Sequence, residues 1–129
     1  MALSRERVKG RKTKGRFLAL PVSVVDSQDY KSLSGNAVKL LMALLYQYRG
    51  KNNGDLSASY SIMRDMGFVS KDTLQRAKNE LLEKQLIIQT REGRFINPGG
   101  VCALYALAWL PIDECGGKLD VNIQTVRKF

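Results

Sequence analysis

The sequence predicts a mainly α-helical domain with a small β-hairpin, an α+β arrangement, and three observations point to it. The run from Gly35 to Tyr48 places Val38, Leu41, Leu45 and Tyr48 on one stripe at helical spacing, with Leu40, Met42 and Leu44 beside them. A short helical segment and a longer one then meet around Gly67. After them, Leu86 to Arg91 and Val101 to Leu110 are short, apolar stretches rich in β-branched or aromatic residues on either side of a glycine-containing loop, as two paired strands require.

The elements follow in order from the N-terminus. Phe17 to Leu20 reads as a short strand or an extended lead-in, and Pro21 suits the first position of a brief helical turn containing Val22, Val24 and Val25. Tyr30 and Leu33 anchor a second short turn. Ser34 is an expected N-cap for the long helix, and Gly50 its natural stop. Asn52-Asn53-Gly54 is a turn, since Asn-Gly accepts positive φ, and Leu56 adds one or two residues of strand. A helix capped by Ser57 is expected over 58–66, burying Ile62, Met63 and Met66, with Gly67 ending it. Ser70 then caps a helix to about Lys84 whose inner side is Leu74, Ala77, Leu81 and Leu82. In the second strand Tyr105, Leu107 and Trp109 share one face, and Pro111 closes it. Beyond Pro111 the chain is polar and turn-rich, but Leu119, Val121 and Ile123 alternate, which fits an edge strand or a partner-binding strand. The domain plan is a basic arm over 1–16, a folded domain over 17–113 and a tail over 114–129.

Charge is concentrated in the arm. Arg5, Arg7, Lys9, Arg11, Lys12, Lys14 and Arg16 stand against the single acid Glu6, so the arm holds six of the nine net positive charges. A basic arm on a mildly basic body suits a polyanion such as nucleic acid, or serves as a solubilising tail. With 44% apolar residues the remainder is rich enough to bury a core.

Several function classes are disfavoured. The sequence has no histidine, which removes Ser-His-Asp and Cys-His catalysis and any histidine-containing metal site. Cys102 and Cys115 are too few for a disulfide framework, and Cys102 reads as a small core residue. Gly99-Gly100 and Gly116-Gly117 lack the strand–loop–helix setting and Lys-Ser/Thr ending of a phosphate loop. Apolar runs fall well short of the roughly 20 residues that span a bilayer, and no secretory signal is evident. The expectation is a cytoplasmic, nucleoid-associated protein that is not an enzyme, without cofactor, metal or evident small-molecule effector.

The order helix, helix, turn, helix, strand, loop, strand resembles the winged helix-turn-helix family over Leu33 to Leu110. Its densest part is Ser57-Ala-Ser-Tyr-Ser-Ile-Met-Arg-Asp-Met-Gly67-Phe-Val-Ser70-Lys-Asp-Thr-Leu-Gln-Arg-Ala77-Lys-Asn-Glu-Leu-Leu. There a glycine closes the first helix, an apolar turn follows and a serine cap opens the second. Leu81-Leu82-Glu83-Lys84-Gln85-Leu86-Ile87 resembles the passage into the wing in bacterial regulators. Asn52-Asn53-Gly54 and Tyr105-Ala-Leu-Ala-Trp109-Leu-Pro-Ile-Asp113 resemble helix-turn-helix proteins of phages, plasmids and integrative elements. The sequence departs from the pattern in two places. Met63 occupies the position where a small residue is usual, and Phe68-Val69 lengthens the turn by one residue, which relaxes the close helix crossing.

The resemblance implies that the helix beginning near Lys71 lies in the major groove. With Leu74, Ala77 and Leu81 inward, Asp72, Arg76 and Asn79 face outward and Thr73 and Gln75 flank them. Arg76 has the fork to pair with guanine, and Gln75 or Asn79 with adenine; Thr73 joins them as a base-reading candidate. Lys71 and Ser70 are placed for phosphate, as are Ser59, Tyr60 and Arg64 on the preceding helix and Arg91 and Arg94 beside the wing. Glu80 and Glu83 suggest that only the first two turns approach DNA. The leading expectation is a sequence-specific double-stranded DNA-binding regulator acting by site occupancy. A homodimer would form through 35–48 or the tail. An origin-marking replication or maintenance protein needs the same surface, and a winged helix serving as a protein–protein module is the alternative of another class.

Overall fold

The computed structural model describes residues 15–93, 100–120 and 126–129. The expected contacts from Arg5, Arg7, Lys9, Arg11, Lys12, Lys14 and Arg94, and the alternation through Val121 and Ile123, lie outside these residues. Among the described residues five helices precede a two-stranded antiparallel sheet: α1 (Val22–Val25), α2 (Gln28–Lys31), α3 (Gly35–Gln47), α4 (Tyr60–Asp65), α5 (Lys71–Glu83), β1 (Ile87–Arg91) and β2 (Leu104–Leu107). A 3-10 turn follows at Cys115–Gly117.

α3 is the scaffold. Its Ser34 cap accepts the Ala37 amide at 3.2 Å, and its buried residues are Ala37, Leu40, Leu41, Ala43, Leu44 and Leu45. Helical spacing brings this stripe onto Leu74, Ala77 and Leu81 of α5, the helix it packs against most. Val24, Leu56, Ala58, Met63, Phe68, Leu86, Ile87, Tyr105, Leu107 and Trp109 complete the core. Leu40, Leu41, Leu44 and Leu81 are wholly buried, each contributing roughly 1.5–3 kcal/mol relative to exposure.

The N-terminal segments differ from expectation by small amounts. No strand forms over 17–20, and Pro21 is the N-cap of α1 rather than its first residue. Tyr48 is the C-cap of α3 and only half-buried.

α4 begins later than the sequence suggests. The Gln47 side chain brackets Ser57, donating to its carbonyl at 2.7 Å and accepting its amide at 2.9 Å. Leu56 is bridged to Tyr105 through N–H···O bonds of 3.1 and 2.8 Å. These bonds hold the chain extended, so Ser59 rather than Ser57 is the N-cap, and Ile62 is exposed instead of buried. Gly67 closes α4 at φ +103, where a Cβ would come within 2.6 Å of Lys39 Nζ. The Lys39 ammonium donates to the Gly67 carbonyl at 3.0 Å.

The hairpin pairs Ile87 with Leu107 and Gln89 with Tyr105, with an irregularity between Gln89 and Arg91. The second strand stops at Leu107, three residues short of expectation. The cause is Asn53, which is fully buried. Its side-chain oxygen accepts the Leu107 amide at 2.7 Å, and its amide nitrogen lies 3.0–3.1 Å from the carbonyls of Leu107, Leu110 and Pro111. The chain is thereby drawn into a turn. All four β2 residues are buried, so its two faces do not differ as a half-exposed strand would. Cys102 falls outside the strand and is exposed, contrary to its expected place in the core.

The chain after the sheet returns to it. Asp120 and Arg127 donate their amides to the carbonyls of Thr90 and Ala108, at 2.8 and 3.0 Å. Phe129 meets Trp109 edge to face, with ring centroids 6.2 Å apart.

Candidate nucleic-acid interface

α5 carries the expected base-reading residues, and its geometry follows from its cap and its buried stripe. The Ser70 hydroxyl accepts the Asp72 and Thr73 amides at 3.2 and 3.3 Å. This satisfies two of the free donors that begin a helix and commits Ser70 to capping. Burial of Leu74, Ala77 and Leu81 turns Asp72, Gln75, Arg76 and Asn79 outward, where all four are exposed, while Thr73 is half-buried on the flank.

The outward side chains are paired along the helix. Gln75 Nε2 donates to Asn79 Oδ1 at 3.0 Å. Arg76 Nη2 lies 3.2 Å from Asp72 Oδ2, with both side chains more than 70% exposed. Exposed pairs one helical turn apart contribute only a few tenths of a kcal/mol. They orient the polar forks without locking them in place. Asp72 lowers the net charge of the face, so α5 itself is only weakly attractive to phosphate.

The turn before α5 is fixed by Tyr60, whose hydroxyl donates to the Val69 carbonyl at 2.8 Å. The Lys71 ammonium lies 5.6 Å above the Tyr60 ring, leaving its charge at the mouth of the helix. Ser59 pairs with Ser61 at 3.3 Å. Arg64, exposed, makes a loose contact of 3.9 Å with Asp65. Val69 is 89% exposed at the tip of the turn, whereas Phe68 is buried beneath it.

Three charged residues have structural partners that the sequence did not reveal. Arg16 donates to the carbonyls of Tyr46 and Tyr48 at 2.7 and 3.2 Å and lies over the Tyr46 ring, so it ties the arm to the end of α3. Arg91 donates from Nε and Nη2 to the Cys102 carbonyl at 3.0 and 2.8 Å, bracing the hairpin. Glu80 accepts both the amide and the hydroxyl of Ser34 at 2.7 Å.

Lys78 was not a sequence candidate. It lies on the border between the buried and outward sides of α5, half-buried, with its ammonium 5.8 Å from the Tyr105 ring centre. Burial lowers its pKa below the ordinary lysine value. The Cys115 thiol is pushed up, first by burial and then by Asp55 and Asp113, which opposes formation of a reactive thiolate. Among the described residues no cluster of three or more His, Cys, Asp or Glu is arranged to hold a metal. No helix among them is long and apolar enough to cross a membrane.

No protein-family model matches the chain, and no curated protein matches it. A solved structure described as "N-Terminal domain of DNA binding protein" is similar over 80% of this chain and 78% of that one, with 21% sequence identity and a TM-score of 0.44.

Proposed function

We propose that this chain is a sequence-specific double-stranded DNA-binding protein of the winged helix-turn-helix type. In this reading α4 and α5 form the helix-turn-helix pair, and the β1–β2 hairpin forms the wing. The observation that carries it is the outward face of α5, where Gln75, Arg76 and Asn79 stand exposed on a helix whose opposite side is locked into the core. Those side chains have the bidentate donor and acceptor forks that distinguish adenine and guanine in the major groove. The order of elements supports the same reading: a scaffold helix, the Leu56 bridge, a short helix, a tight turn, the exposed helix and a hairpin.

Affinity in this scheme comes mainly from the arm and from Lys71 and Arg64, because phosphate contacts supply the sequence-independent part of binding. The protein acts as a transcriptional regulator by occupying its site. Origin marking in replication or maintenance would use the same surface. Selection of bound sites from random duplex DNA tests the reading: a recovered consensus supports it, and recovery of unrelated sequences opposes it. A palindromic consensus would further indicate a two-fold dimer.

A further inference from the structure

We infer that Lys78 is the seat of a nucleic-acid phosphate, held in the groove between α5 and the β1–β2 hairpin; the inference rests on the DNA-binding reading above. The groove has a volume of about 650 Å³, and Ser59, Lys78, Gly93, Gly100 and Tyr105 are among the residues that line it. Among the described residues none that lines it is acidic. Among the described residues Lys78 has no hydrogen-bond or ion-pair partner; its contact is with the face of Tyr105. Three nearby cations differ in this respect: Arg76 has Asp72, Arg91 has a carbonyl, and Lys39 has another. A half-buried ammonium with a π face beneath it and no counter-ion is a site for an anion entering from solvent.

The size of the groove suits a chain rather than a small ion. A phosphate seated on Lys78 would place one DNA strand between α5 and the hairpin. The major groove would then lie on the Gln75–Arg76 side. Lys78 would thus set the register in which the base-reading residues meet their base pairs without itself reading sequence.

The test compares wild type, Lys78→Gln and Lys78→Arg for binding to a duplex oligonucleotide across a salt titration, with thermal unfolding of each as a control for folding. Neutralising one phosphate contact should reduce the slope of log K against log salt by about 0.9, or about three- to fourfold in affinity over a fourfold range of salt. Lys78→Gln should show that loss and Lys78→Arg should restore the slope, with preference between duplex sequences unchanged in both. If wild type binds with a salt slope and Lys78→Gln keeps the full slope, the Lys78 seat is wrong and the DNA-binding reading stands. If wild type shows no salt-dependent binding, both fall. Should Lys78→Gln fail to fold, NMR of the wild-type lysine side chains decides: a shift of the Lys78 ammonium on adding duplex supports the seat, and no shift overturns it.

Discussion

The Glu80 carboxylate closes the N-terminus of the scaffold helix by accepting from both the amide and the hydroxyl of Ser34, at 2.7 Å each. An acid on the helix proposed to read DNA is thereby spent on the fold, since a carboxylate near a helix N-terminus satisfies a free amide and complements the dipole. Glu80→Ala should destabilise the protein by about 1 kcal/mol. Chemical unfolding measures this, and an unchanged midpoint would show that the contact contributes nothing.

Asn53 links the turn after α3 to the end of the sheet, with its amide group inserted where a strand neighbour would otherwise supply hydrogen bonds. Asn53→Ala removes the partner of the buried Leu107 amide and a donor to the carbonyls of Leu110 and Pro111. Each such group costs about 1–3 kcal/mol, so urea unfolding should show one of the largest losses of any single polar substitution. A loss below about 1 kcal/mol would mean that water replaces the side chain.

Gln85 follows the C-cap of α5 at φ +58. The bonds from Gln85 N to Leu82 O and from Leu86 N to Leu81 O, at 3.1 and 3.0 Å, form the helix-closing pattern that ordinarily employs glycine. Gln85→Gly should therefore stabilise the domain by about 0.5–1 kcal/mol, visible as a rise of a few degrees in Tm. A fall in Tm would indicate that the side chain makes a compensating contact.

Arg127 anchors the C-terminal residues. Its guanidinium donates to the carbonyls of Lys84 and Gln85 at 2.7 and 3.0 Å and pairs with Asp29. Phe129 packs on Trp109, the sole tryptophan of the chain. Deleting 126–129 should shift Trp109 fluorescence to longer wavelength and lower Tm. Unchanged emission would show that these residues do not cover the indole.

The helices and the hairpin were legible because each has a local signature. Leu40, Leu41, Leu44 and Leu45 repeat at helical spacing, Ser34 and Ser70 cap as expected, and Ile87 to Arg91 pairs with the later apolar run. What was hidden depends on partners distant in sequence. Gln47 determines where α4 starts by holding Ser57, and Asn53 determines where β2 stops. The candidate site divides in the same way. Gln75, Arg76 and Asn79 follow from helical geometry alone. The structural engagements of Arg16, Arg91 and Glu80 required knowing which carbonyls or donors lie opposite, and Lys78 required knowing that the hairpin lies beside α5.

The arm is the strongest source of positive charge, with six cations among residues 1–15. Removing those residues should weaken binding to every duplex and flatten its salt slope, leaving preference among sequences intact. Equal affinity before and after removal, measured at two salt concentrations, would reduce the arm to a solubilising segment.

The central claim is that the outward face of α5 reads DNA sequence. Its most direct test is the affinity of wild type and the double variant Gln75→Ala/Arg76→Ala for a selected duplex and for an unrelated one, across a salt series. Both proteins should bind DNA in a salt-dependent way. Wild type should prefer the selected duplex, and the double variant should lose that preference while keeping much of its affinity for the unrelated one. Absence of salt-dependent binding by wild type, or a double variant that still prefers the selected duplex, would contradict it.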